Sequence, residues 1–192
     1  MKRNAIPRAL AALACLAGAS AVHAAPLSLD DAVITARYQD APAGMLGLDH
    51  GFAAEPGSNI SRLDPSDSGV EFLTSDYLFG VDFSKSGALT VFANAPVTAG
   101  AYAMRFDFGA SLNAPIGAFT LVGFDGASGT PGLRIVDAHT IALDLSQVAW
   151  SEFGSFTAQI GAADVPEPAS AALALAGLAA LAGASRKRKL HF

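Results

Sequence analysis

Phe79-Gly80-Val81-Asp82-Phe83 and Tyr102-Ala103-Met104-Arg105-Phe106-Asp107-Phe108 decide the fold. Phe79, Val81 and Phe83 alternate with Gly80, Asp82 and Ser84, and Tyr102, Met104, Phe106 and Phe108 alternate with Ala103, Arg105 and Asp107. Successive side chains of a strand point to opposite faces, so apolar residues at every second position mark a strand with one face buried and one wet. Further strands are predicted at 32–38, 88–93, 118–124, 133–136, 140–145 and 155–160. Turn chemistry separates them: Ser84-Lys85-Ser86-Gly87, 95–100 with Pro96 and Gly100, and 125–132 with Gly126, Gly129, Pro131 and Gly132. Short alternating strands with Gly- and Pro-rich connections and no amphipathic helix predict an all-β fold, an antiparallel, jelly-roll-like β-sandwich. Residues 40–68 lack the alternation and read as a loop, the place to look for binding.

Outside this region the composition changes. The chain of 192 residues is 52% hydrophobic and 15% charged, and the apolar excess sits at its ends. Residues 1–24 carry Lys2, Arg3 and Arg8, an apolar run from Ala9 to Ala21, then Val22-His23-Ala24-Ala25-Pro26. A basic start, an apolar core and small residues before a cut form a secretory signal peptide. Signal peptidase is expected to cut after Ala24, with the bond after Ala25 as the alternative. Cys15, the one cysteine, lies inside the apolar run, where the preceding residues suit lipidation poorly. Cleavage therefore leaves a domain, 25–164, without disulfides.

At the other end stand Val165-Pro166-Glu167-Pro168, an uncharged stretch within 169–185, and Arg186-Lys187-Arg188-Lys189. The prolines make a stiff extended linker and set a helix start near Ala169. A helix over 169–185 extends roughly 25 Å, just short of the hydrocarbon thickness of about 30 Å, and is expected to cross the membrane. The basic block 186–189 acts as a stop-transfer signal and fixes the cytoplasmic side. The domain is thereby expected on the periplasmic face of the inner membrane.

Pro166-Glu167-Pro168, an apolar helix and Arg186-Lys187-Arg188-Lys189, in that order over 165–192, resemble the PEP-CTERM sorting domain of Gram-negative bacteria. The resemblance implies an exosortase, a membrane enzyme that cuts near the motif before the protein is released or attached at the cell surface. It also implies an extracellular setting rich in exopolysaccharide, with biofilm formation as its context. The tail is then an address and the inner membrane a transient station.

All seventeen acidic residues lie between Asp30 and Glu167, with only Arg37, Arg62, Lys85, Arg105 and Arg134 of the twelve basic ones, so the stretch carries 5 − 17 = −12. Such a balance argues against nucleic acid as a partner, which needs a positive patch. The chain has no nucleophile elbow, zinc-protease motif or phosphate loop, and no enzyme is expected. Asp137 and His139 would share a face if their strand ran through, the one arrangement resembling an acid–base pair. Asp64, Asp67 and Glu71 flank a glycine turn and offer hard oxygen ligands; Ca²⁺ is the candidate cation, although the spacing is not that of an EF-hand and a solvated turn explains it as well. Trp150, Phe153 and Phe156, with Tyr77 and Tyr102, form a candidate sugar platform, against the plainer reading of core burial. The readings in order are a structural or adhesive surface protein, a carbohydrate-binding module with exopolysaccharide as partner, and last a matrix hydrolase.

Overall fold

A computed structural model describes residues 25–48, 58–63, 66, 69–163 and 177–178. Among them the strands are β1 Val33–Tyr38, β2 Met45–Gly47, β3 Ile60–Arg62, β4 Phe72–Thr74, β5 Phe79–Phe83, β6 Ala88–Ala93, β7 Ala103–Asp107, β8 Ile116–Gly129, β9 Gly132–Asp137, β10 Thr140–Asp144 and β11 Val148–Ala162. They form a five-stranded sheet in the order β3-β1-β7-β10-β9 and a six-stranded sheet in the order β2-β4-β5-β6-β11-β8. Every pairing is antiparallel, and the fold is an all-β sandwich.

The alternation in β5 and β7 is what closes the two sheets together. Phe79, Val81 and Phe83 on one sheet and Met104, Phe106 and Phe108 on the other are all buried. The Phe83 ring stands 5.1 Å from that of Phe106 at 79° and 5.7 Å from that of Phe108 at 88°, edge on to both. Phe79 meets Tyr102 at 5.3 Å and Trp150 at 5.3 Å. Edge-to-face rings contribute about 0.5–1.5 kcal/mol a pair beyond their buried area. Gly80 lies between these inward residues, and a Cβ there would stand 2.1 Å from the Phe92 ring. The glycine lets that phenylalanine lie flat over β5 on the opposite face.

Two expectations need correction. The stretch 125–132 is not a turn throughout: β8 continues to Gly129, and only Thr130 and Pro131 connect it to β9. Val148, Ala149 and Trp150 of β11 pair with Gly129, Ser128 and Ala127, so cross-strand hydrogen bonding overrides the weak strand preference of small residues. Gly126 and Gly129, at φ 66° and 120°, absorb the irregular backbone that these bulged pairings require. Within 40–68, β2 and β3 are strands, each an outer strand of its sheet.

A polar tie also links the sheets. The buried Tyr38 of β1 donates its hydroxyl to Asp76 Oδ2 at 3.2 Å, and Thr74 Oγ1 donates to Asp76 Oδ1 at 2.6 Å while accepting the Phe79 N–H at 3.0 Å. Burial first, and then the charge of Asp76, holds the Tyr38 phenol well above its ordinary value of 10.0. The neutral phenol is therefore favoured by folding. Its contribution is complete below pH 10.0 and is lost as the pH rises toward the folded value. Urea stability of the native domain should fall more steeply than that of Tyr38→Phe across about pH 10–12; parallel profiles would contradict this coupling.

Candidate functional site: the paired ends of the domain

The last strand needs a partner that β6 does not supply. β6 ends opposite Gln159, where Ala88 is its last paired residue, yet β11 runs on to Ala162. Residues 25–27 fill the gap. Ile160 N–H donates to Gly87 O at 2.8 Å, Leu27 N–H to Ile160 O at 3.1 Å and Ala162 N–H to Ala25 O at 2.8 Å. Pro26 bridges Gly161 antiparallel, and Leu27 and Leu29 pin the segment into the core. Gly87, at φ 81°, permits the approach, since a Cβ there would stand 2.5 Å from Leu27 O and 2.8 Å from Ile160 O. On the far side Ala163 N–H donates to Pro115 O at 2.8 Å. Because residues 25–27 run antiparallel to 160–162, Ala25 and Ala162 stand together at one end of the sandwich.

Of the expected cleavage pair, Ala25 is exposed with its carbonyl engaged by Ala162, and Ala24 lies outside the described residues. Pro166, Glu167 and Pro168 also lie outside them, as do Arg186, Lys187, Arg188 and Lys189. So does the expected helix over 169–185, apart from Gly177 and Leu178, which are helical. Among the described residues no helix is long and apolar enough to cross a membrane.

The other candidates separate. Asp64 and Asp67 lie outside the described residues. Glu71 is fully buried, and its Oε2 accepts the Phe83 N–H at 2.7 Å, tying the segment before β4 to the end of β5. Among the described residues no three His, Cys, Asp or Glu side chains group as metal ligands. Asp137 and His139 do not share a strand face. β9 ends at Asp137 and β10 starts at Thr140, and Asp137 Oδ1 accepts the His139 backbone N–H at 2.9 Å. That bond, foremost, holds the Asp137 carboxyl below its ordinary range, so its job is turn closure. The aromatic platform also dissolves. Trp150 and Phe156 face the core with rings 5.7 Å apart, Tyr102 packs against it, and only Phe153 (71% exposed) and Tyr77 (63%) reach solvent. Sequence spacing missed one feature, a row of arginines that strand register alone assembles.

A sandwich with Ala25 and Ala162 together at one end, followed by a Pro-Glu-Pro linker, an apolar stretch and a basic block, is an exported protein with a C-terminal sorting signal. Residues 164–189 match the family model of the PEP-CTERM protein-sorting motif, and the chain carries that motif directly after its last described strand. With it come export, sorting to the cell surface and an exosortase as processing partner. No curated protein and no solved structure matches the chain.

Two stability outcomes follow from these contacts. Starting the domain at Ser28 in place of Ala25 removes the Leu27 side chain and two ladder hydrogen bonds, and should cost roughly 3 kcal/mol in urea unfolding. An unchanged midpoint would mean that the first residues do not complete the sheet. Glu71→Ala orphans a buried N–H and should cost about 1–3 kcal/mol, whereas Glu71→Gln keeps an acceptor and should lose less.

Proposed function

We propose that the domain is a non-catalytic surface or matrix protein with a structural or adhesive role in an exopolysaccharide-rich layer. A signal peptidase removes the leader, the tail holds the domain transiently at the periplasmic face of the inner membrane, and an exosortase frees or attaches it. One observation supports this reading: the strands of both described sheets pair with one another between Ala25 and Ala163, inside both expected cuts. Among the described residues the buried apolar side chains run from Leu27 to Ile160, and the last backbone hydrogen bond is that of Ala163. Pro166 follows three positions later, near enough to the domain for positioning and far enough that a cut there removes no strand.

The shared exit also favours such handling. Leader and tail attach side by side, so a domain held by either one presents the same end to the membrane and leaves both sheet faces clear. Cutting after Ala24 keeps the Ala25 carbonyl for Ala162, whereas cutting after Ala25 removes that acceptor and leaves Pro26, which has no N–H to give the ladder. Ala25 is therefore the favoured first residue. The absence of nucleophile motifs in the sequence, and the use of Asp137 for closing a turn, support a role without catalysis.

Mass spectrometry of the surface pool from the producing cells checks both ends at once. The expected species begins at Ala25 and ends between Pro166 and Ser170. A surface pool that retains Arg186 to Phe192 would count against processing of the tail.

A further inference from the structure

Arg37, Arg105 and Arg134 are far apart in sequence, but strand register sets them in one row. Arg37 of β1 lies directly opposite Arg105 of β7, Arg105 opposite Ala142 of β10, and Ala142 opposite Arg134 of β9. All three arginines are exposed on the outer face of the five-stranded sheet. With strands about 4.8 Å apart, the row spans roughly 14 Å. These are three of only five basic residues between Asp30 and Glu167.

Arg105 helps hold the Asp137 carboxyl down, but the row makes no close ion pair among the described residues. The ion pair found among the described residues is Arg62 with Asp31 at 3.8 Å, and no described carboxylate pairs with Arg37, Arg105 or Arg134 within 4.0 Å. Like charges placed directly opposite on one sheet face are destabilising, so an anion seated between Arg37 and Arg105 relieves their repulsion. Guanidinium groups are suited to that task, because their planar forks grip carboxylates in bidentate fashion.

The surroundings narrow the ligand. The small Ala142 leaves a hollow of about 430 Å³ between Arg105 and Arg134, with Gly132 and Asp144 at its rim. A second hollow of about 290 Å³ between Arg37 and Arg105 is bounded by Thr35, Asp40 and Asp107. Above and below the arginines the register thus places carboxylates: Asp107 opposite Thr35 and Thr140, and Asp144 opposite Ala103 and Gly132. A nucleic acid backbone would bring phosphates beside those carboxylates and would find no aromatic ring among the described residues of this face to stack upon. A sugar polymer brings hydroxyl donors for the carboxylates and, when it is acidic, a carboxylate for the arginines.

We propose that this face binds an acidic polysaccharide, with a uronate carboxylate held by Arg37 and Arg105, the next sugar in the hollow over Ala142 toward Arg134, and hydroxyls donating to Asp40 and Asp107. The site gives the adhesive reading above a specific ligand class and rests on it, but the two fail separately: the cut ends found by mass spectrometry do not depend on sugar binding. It also places recognition on a sheet face and not in the segment 40–68.

The test uses the full chain, purified in a polyoxyethylene detergent, against oligosaccharides of polygalacturonate, alginate and hyaluronan, their methyl esters, and a single-stranded oligonucleotide. At about 50 mM salt at least one acidic oligosaccharide should bind, its methyl ester should bind at least roughly tenfold more weakly, and the oligonucleotide should not compete. Arg37→Gln with Arg105→Gln should lose roughly tenfold or more in affinity while melting no lower than the native chain, since the opposed charges are gone. Arg62→Gln, off the row, should bind as the native chain does. If the double variant fails to fold, Arg105→Lys serves in its place, keeping the charge but losing the fork and weakening binding. Absence of binding to all three acidic series, equal binding of the methyl esters, preference for the oligonucleotide, or an equal loss in Arg62→Gln would each overturn the proposal.

Discussion

Every other feature of this sandwich depends on the edge-to-face meeting of Phe83 with Phe106 and Phe108 across the two sheets. From Ala25 to Ala163 the chain has no cysteine, so no covalent link holds the sheets in place and packing must do so alone. Because side chains alternate strictly, turning Phe106 inward turns Arg105 and Asp107 outward, and a slip of one residue would exchange them. The core therefore fixes more than stability. It determines which polar residues of β7 are presented to solvent and in what register with β1 and β10.

β11 is the spine of the other sheet, and its length explains how the domain ends. Its middle is paired on both sides, by β6 and β8, whereas its last residues outrun β6. A strand end with unpaired N–H groups at a sheet interior is costly. Residues 25–27 complete the ladder there, so the closing of the fold brings them side by side with the end of β11. One packing solution thus serves two purposes. It finishes the sheet, and it sets Ala25 beside Ala162 at one end of the sandwich.

The alternating strands were legible because their signal is local. β1, β5, β6, β7 and β10 fall within a residue or so of the alternation that predicts them. What the sequence hid is what only partners supply. The second half of β8, Asp125-Gly126-Ala127-Ser128-Gly129, has turn-forming residues throughout and is a strand only because Val148, Ala149 and Trp150 pair with it. β2 and β3 are three residues each, too short to show a period. The sorting tail lies at the opposite extreme, since its order of linker, apolar stretch and basic block is written along the chain and needs no fold to be read. Conversely, the aromatic trio near Trp150 was close in sequence but split by the pleat, which sends Trp150 and Phe156 into the core and leaves Phe153 exposed at φ 58° in the irregular stretch of β11 between Trp150 and Ser155.

Charge shows the same division between what adds along a sequence and what assembles in space. The sum of −12 between Asp30 and Glu167 describes the field well away from the molecule, where it repels polyanions. At physiological salt that field is screened within about 8 Å, so a ligand that reaches contact meets the local row and not the sum. The arginine row flanked by carboxylates then acts as a filter with two conditions. A bare anion satisfies the arginines but leaves Asp40 and Asp107 facing negative charge, and a neutral glycan satisfies the carboxylates but leaves opposed guanidinium groups unrelieved. Only a chain that carries both acid groups and hydroxyls meets both conditions, and it is the register imposed by the Phe83–Phe106 contact that places them on one face.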